Sequence, residues 1–292
     1  MKSLCIKTNH ENSINYLLNE LEHLNLKNVC FSLRNFRHYK NIIIHYRGLD
    51  DDLFLNQICN ILSLLVIDEL EESLLNKLLF RNYFYFDINE RKQILDLCFD
   101  INSFDFTNIF ENKFNSLFNS FYEFLLENKS LVLDGFINFR ICNYIEILDD
   151  ILSNAVNQYV IEKEYVEFIS LLKLYVNSQK NNCDFVHLIY SKDESILLNE
   201  NKEIISIEND NILNRKYLSD ISFSSNDYTL NSLLTLLPKK IYIHLIDNNI
   251  DDFINTILSV FENKTHICQN CNICNLYKHT LESKASKNPN TI

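Results

Sequence analysis

Glycine, proline and tryptophan are nearly missing from this chain: its 292 residues include two glycines, two prolines and no tryptophan. The glycine shortage excludes the most. Loops that cradle phosphates need several glycines, because the backbone must turn tightly and approach the ligand closely. With Gly48 and Gly135 alone, no Walker A loop, dinucleotide fingerprint or G-x-S-x-G nucleophile elbow can be written. The accompanying excess of Asn, Ile, Lys, Phe and Tyr is the bias of AT-rich coding, which describes a genome and not a function.

Other absences narrow the field further. The eight histidines form no HExxH and no pair four residues apart. A serine hydrolase needs a positioned base and oxyanion donors that the sequence does not indicate, and Ser224 and Ser225 read as cap or turn residues before a helix at Asn226. No catalytic residues are assigned. The opening MKSLCIKTNHENS lacks an apolar signal region, and the richest apolar run, Ile58 to Ile67, is too short to span a bilayer. The expectation is a cytoplasmic protein with no membrane partner.

Positive charge is also scarce, with a formal net charge of −12. Nonspecific attraction to nucleic acid or anionic lipid depends on positive potential, so a nucleic-acid partner is not expected. A local patch can escape that average. Between Lys27 and Gly48 there is no acidic residue, and Arg34, Arg37, Lys40 and Arg47 interleave with Phe36, Tyr39 and Tyr46. This segment reads as the solvated side of two strands.

With 47% hydrophobic residues the chain can bury an ample core. The patterning predicts an α+β fold in three parts. A small α/β unit (1–52) has strands at Ser3–Lys7, Lys27–Leu33 and Asn41–Tyr46 and a helix near Asn12–Leu24. Asp50, Asp51 and Asp52 precede the next helical run as capping carboxylates. A central helical bundle (53–182) follows, with turns near Phe86–Asn89, Asn102–Thr107 and Ser130–Gly135. A C-terminal α/β unit with a short mixed sheet (183–280) has strands at Phe185–Tyr190, Ile196–Leu198, Ile204–Ile207 and Lys240–Ile246. Its helices lie near Asn226–Leu237, ending at Pro238, and Ile250–Phe261, leading to an extended THIC segment. Residues 281–292 read as a disordered polar tail.

The run from Gly135 to Gln179 carries two apolar stripes at steps of three and four residues. The first passes through Ile141, Tyr144, Leu148, Leu152, Val156 and Tyr159, the second through Tyr165, Phe168, Ile169, Leu172, Tyr175 and Val176. Tyr144, Leu148, Leu152, Tyr159, Phe168 and Leu172 are therefore expected to be buried. The block EKEYVEFISLLKLYV at Glu162–Val176, with the aromatic turn NYFYFD at Asn82–Asp87, resembles the sporulation protein YtxC family of endospore-forming bacteria. The resemblance implies a cytoplasmic, sporulation-associated protein of unassigned activity with a cysteine-rich C-terminus. Arg140 and Tyr144 could line a site in that block, or anchor the helix start.

Six of nine cysteines are scattered through apolar stretches, where a reduced thiol behaves as a small hydrophobe. Cys268, Cys271 and Cys274 are clustered, with His266 and His279 on either side. A C-x2-C turn lets two thiolates grip one tetrahedral ion, and the third cysteine with one of those histidines completes a Cys3His zinc site. The triplet also starts a ferredoxin-type iron–sulfur motif, but Lys278 stands where the fourth cysteine would fall. Redox thiols and unliganded cysteines are the other readings. His187 and His244, inside strands, read as hydrogen-bonded structural residues. Glu146, Asp149, Asp150, Glu162, Glu164 and Glu167 read as the solvated helix face. Two functions compete: a non-enzymatic interaction or scaffold protein with a protein partner, and a metal-binding redox or nucleic-acid-processing factor.

Overall fold

A computed structural model describes residues 2–24, 26, 28–99, 106–191, 194–205, 224–268 and 270–285, and for 106, 107 and 279–285 the backbone alone. The chain is α+β and divides into two compact units, residues 1–162 and 163–292.

The first unit opens with strand β1 (Lys2–Thr8), helix α1 (Glu11–Glu22) and a hairpin of β2 (Val29–Asn35) and β3 (Lys40–Tyr46). Asp50 accepts a hydrogen bond from the Leu53 amide, 2.8 Å away, and caps α2 (Asp51–Leu65) as the acidic triplet leads one to expect. One π-helical turn (Val66–Leu70) joins α2 to α3 (Glu71–Asn82). At the aromatic turn, Asp87 and Glu90 form a reciprocal capping box that starts α4 (Ile88–Cys98). The turn expected at Asn102–Thr107 lies mostly outside the described residues. Helix α5 (Phe106–Glu127) leads to β4 (Ser130–Val132) and α6 (Leu133–Phe139), where the sequence pattern indicates only a turn. Strand β4 pairs parallel with β1, completing a mixed sheet in the order β2-β3-β1-β4.

One hydrophobic core serves both the sheet and the helices of this unit, from Leu4, Ile6, Ile42 and Ile44 to Leu62, Phe121, Tyr144 and Leu152. The helical run Asp51–Asn82 is long and apolar enough to cross a membrane by composition. Here its Phe54, Leu55, Ile58 and Leu62 fill that core. Gly48 is one of the two glycines for a steric reason, since a Cβ there would overlap the Tyr46 ring, which stacks on Phe54 at 4.9 Å.

Helix α7 (Cys142–Ser178) runs through the division between the units. Tyr144, Leu148, Leu152 and Tyr159 are buried as expected. The second stripe departs from expectation: Ile169 and Val176 are buried and Leu172 half-buried, but Phe168 is 48% exposed.

The second unit contains β5 (Cys183–Ser191), β6 (Glu194–Leu198), α8 (Ser225–Leu236), β7 (Pro238–Leu245), α9 (Asp252–Phe261), β8 (Thr265–Ile267) and α10 (Asn272–Ala285). Leu237 closes α8 in the left-handed region, and Pro238 bars its continuation. The sheet order is β6-β5-β7-β8, with β5, β7 and β8 parallel and β6 antiparallel. A bridge between Leu198 and Ile204 is the described part of the strand expected at Ile204–Ile207. Alternation along the strands divides the side chains between two faces. Val186, Leu188, Ile241 and Ile243 meet Leu233, Ile254 and Ile257 of the crossover helices. On the other face Ile189, Leu198 and Ile246 pack with Ile273 of α10. That helix is not marked in the sequence pattern, and it extends through residues 281–285 of the expected tail.

A candidate metal centre of three cysteines and His244

Parallel pairing of β7 with β8 sets the site. Tyr242 lies opposite His266 and Ile243 opposite Ile267. The Cys268 amide then donates to the Ile243 carbonyl at 2.8 Å, carrying the ladder one step further. With a period of two, Cys268 lies on the face of His266, one pair along, and so beside His244. The chain then turns, and α10 begins at Asn272. Cys271 immediately precedes its first turn and Cys274 lies within it, so both thiols come back over the same point.

The ligand atoms of His244, Cys268, Cys271 and Cys274 all lie within 4.8 Å of one another. Cys271 and Cys274 sulfurs are 3.9 Å apart, and those of Cys274 and Cys268 3.8 Å. The Nδ1 atom of His244 is 3.3 Å from the Cys274 sulfur and 3.5 Å from that of Cys271. These sulfurs are well beyond the roughly 2.05 Å of a disulfide. Cys274 and His244 are buried, and Cys268 and Cys271 half-buried.

Two features prepare these groups to bind a cation. Burial opposes ionisation of Cys271, but hydrogen bonds from the Cys274 amide, the Cys268 thiol and the Ile273 amide outweigh it and hold its pKa below the ordinary value. Those amides belong to the first turn of α10, where free N–H groups favour a negative sulfur. Burial raises the Cys268 pKa, with the neighbouring thiols adding to the rise. The His244 pKa is pushed down to about 4, by burial first and then by His187, so its imidazole is neutral. Its Nε2 is 3.0 Å from Nδ1 of His187. An Nε2 proton shared with His187 leaves the Nδ1 lone pair directed at the sulfurs, the tautomer a metal ligand needs. Burial and then the Lys202 charge lower the His187 pKa.

Of the residues expected to form a metal site, the three cysteines come together, and among the described side chains the imidazole beside them is that of His244 rather than His266. His266 sits one pair away, stacked with Tyr242 at 5.8 Å. His279 lies on α10, and its side chain falls outside the described residues. His187 and His244 are hydrogen-bonded as expected, but to each other. The helix carboxylates stay on the surface, with Asp149 half-buried and accepting from Asn82 at 2.7 Å. Arg140 lies over the Phe124 ring, whereas Tyr144 points inward to Glu71, so they do not share a site. Arg34 and Arg37 are exposed at the β2–β3 hairpin, and Lys40 pairs with Glu11.

Fold and site together define an α+β protein in which three thiols and one imidazole could hold a metal ion. The chain belongs to the YtxC-like family, whose profile matches residues 56–266. That span includes His244 and ends just before Cys268. It is also similar to "Uncharacterized protein YtxC" of Bacillus subtilis (strain 168), with 24% identity over 202 residues, covering 68% of this chain and 71% of that protein. No solved structure matches.

Proposed function

We propose that this chain is a non-enzymatic interaction protein whose C-terminal unit is stabilised by one zinc ion on Cys268, Cys271, Cys274 and His244. The observation that carries the metal is the spacing of the sulfurs. Zinc–sulfur bonds of about 2.3 Å at tetrahedral angles separate two sulfurs by about 3.8 Å, and a zinc–nitrogen bond of about 2.0 Å puts sulfur and nitrogen about 3.5 Å apart. The separations of 3.8 and 3.9 Å, and of 3.3 and 3.5 Å, match. In a [4Fe–4S] cluster each cysteine holds a different iron, which spreads the sulfurs further, so the geometry favours a single ion. Four protein ligands fill a tetrahedron and leave no position for a reacting water, the arrangement of structural zinc.

The interaction half of the proposal draws on exposed apolar side chains. Val166, Leu171 and Leu174 of α7 are each more than 60% exposed. Large apolar groups gathered in solvent favour a protein partner. Placement in the cytoplasm, with reduced thiols, and a role in sporulation are extensions of the family resemblance. Loss of sporulation efficiency in a strain whose only copy carries Leu171→Glu and Leu174→Glu, with the protein still folded, would support the interaction reading and the sporulation role.

Metal analysis of anaerobically purified full-length protein tests the zinc. About one zinc per chain is expected, lost from His244→Ala and Cys271→Ser and retained by His266→Ala and His279→Ala. Protein that folds and carries no metal would overturn the reading. A mass lower by two hydrogens would then point to redox thiols.

A further inference from the structure

The sheet face beside the cysteines carries a second feature, which shares His187 with the hydrogen bond that orients His244. Parallel pairing aligns His187, Tyr242 and His266 in one row across β5, β7 and β8. Their rings follow one another at 5.5 and 5.8 Å, tilted by 32° and 27°. Phe185, one pair along β5, meets the Tyr242 ring edge-on at 5.7 Å. The row borders an open cavity of about 660 Å³, which Cys268 and Cys271 also line.

The charge of this cavity runs against that of the whole chain. Among the described residues, Lys202 and Lys240 line it and no carboxylate does. Lys239, which points the other way, is held by Asp184. Neither Lys202 nor Lys240 takes part in an ion pair among the described residues. A zinc ion with three thiolates and one neutral imidazole contributes a net charge of about −1 to the wall, which the two lysines exceed.

We propose that this face binds single-stranded nucleic acid, with bases stacked on Tyr242 and His266 and phosphates at Lys202 and Lys240. Aromatic rows on a sheet recognise unpaired bases because every base offers a π-face, whereas a duplex hides those faces within its own stack. The chain's net charge of −12 suppresses general attraction to phosphate, so stacking supplies most of the affinity. With two phosphate contacts the dependence of log K on log salt has a slope of about −1.4. The basic hairpin at Arg34–Arg47 belongs to the first unit and is not part of this proposal.

Fluorescence anisotropy with the full-length chain and labelled oligouridine or oligothymidine of about ten nucleotides tests this. Metal content and far-UV circular dichroism are recorded for each sample. Tyr242→Ala should weaken binding roughly 5- to 150-fold and Tyr242→Phe hardly at all. His266→Ala, at the exposed end of the row, should also weaken it without disturbing the fold. Lys202→Gln with Lys240→Gln should flatten the salt slope towards zero. Folded wild-type protein that leaves the oligomer unshifted at about 50 mM salt would overturn the proposal, as would equal affinity for a duplex or binding untouched by all these variants. The zinc reading is judged separately. Zinc-loaded protein without binding sinks only the nucleic-acid site, and metal-free protein with ring-dependent binding sinks only the zinc.

Discussion

Glu71 is 4% exposed, yet it keeps a charge partner: Lys113 Nζ lies 2.6 Å from one carboxylate oxygen and the Tyr144 hydroxyl donates to the other at 2.5 Å. Burial and then the Glu71 charge raise the Tyr144 pKa, so its proton stays in that bond. Removing one partner of a buried pair leaves an uncompensated charge. Lys113→Met should therefore cost roughly 3–5 kcal/mol in urea denaturation. Tyr144→Phe, which deletes one hydrogen bond, should cost roughly 1–3 kcal/mol. A smaller loss in Lys113→Met than in Tyr144→Phe would contradict the cost assigned to leaving the Glu71 carboxylate unpaired. Cys59 supplies a pH test. Burial pushes its thiol from 9.0 up to about 12, so above pH 9.0 the unfolded chain releases a proton that the folded chain keeps. Stability from the buried thiol is complete below pH 9.0 and is lost as pH rises towards about 12. The deficit of Cys59→Ala relative to wild type should accordingly shrink as pH climbs through that window; a constant deficit would contradict the burial argument.

Helices were readable where one side of the pattern was clearly apolar, and α7 shows where that stops. In its first half a single stripe meets the core, so Leu148→Ala and Leu152→Ala should each cost about 2–5 kcal/mol. In its second half apolar residues occur all round: Ile161, Val166, Phe168, Leu171 and Leu174 are exposed, and Ile169 and Val176 buried. Periodicity cannot select a face when each face qualifies. Leu174→Lys should change stability by no more than about 0.5 kcal/mol; a loss of core size would place that side chain inside the protein. Strand β4 escaped notice because three residues, Ser130–Val132, carry no period, and their pairing is decided by β1 far away. The candidate metal site was half legible for a related reason. Three cysteines at C-x2-C spacing announce themselves locally. His244 stands 24 positions before Cys268 and joins them only through the β7–β8 register. His266, nearer in sequence, is displaced by one pair. The alternation of Tyr242, His244 and Ile246 in IYIHLI was the one signal available, and it gives a face but no neighbour.

Each of the two units owns a core, and Cys268, Cys271, Cys274 and His244 all lie in the second. Withdrawal of the proposed zinc by a chelator should therefore raise hydrogen exchange in β7, β8 and the start of α10 while leaving β1, β3 and α2 protected. Uniform loss across the chain, or none, would argue against a zinc confined to the second unit. The α+β class and most elements could be anticipated because they rest on local alternation. The sharing of one core by the first sheet and the helices after it could not, since it depends on β4 meeting β1. That pairing also bears on how the protein is made. The ribosome must add about 120 residues after β1 before its parallel partner exists, roughly 6 to 24 seconds of synthesis at ordinary elongation rates. Throughout that interval one edge of β1 offers unpaired amides and carbonyls beside Leu4 and Ile6, an open template for other nascent chains. Aggregation during synthesis, more than instability of the finished fold, is where this topology leaves the protein exposed.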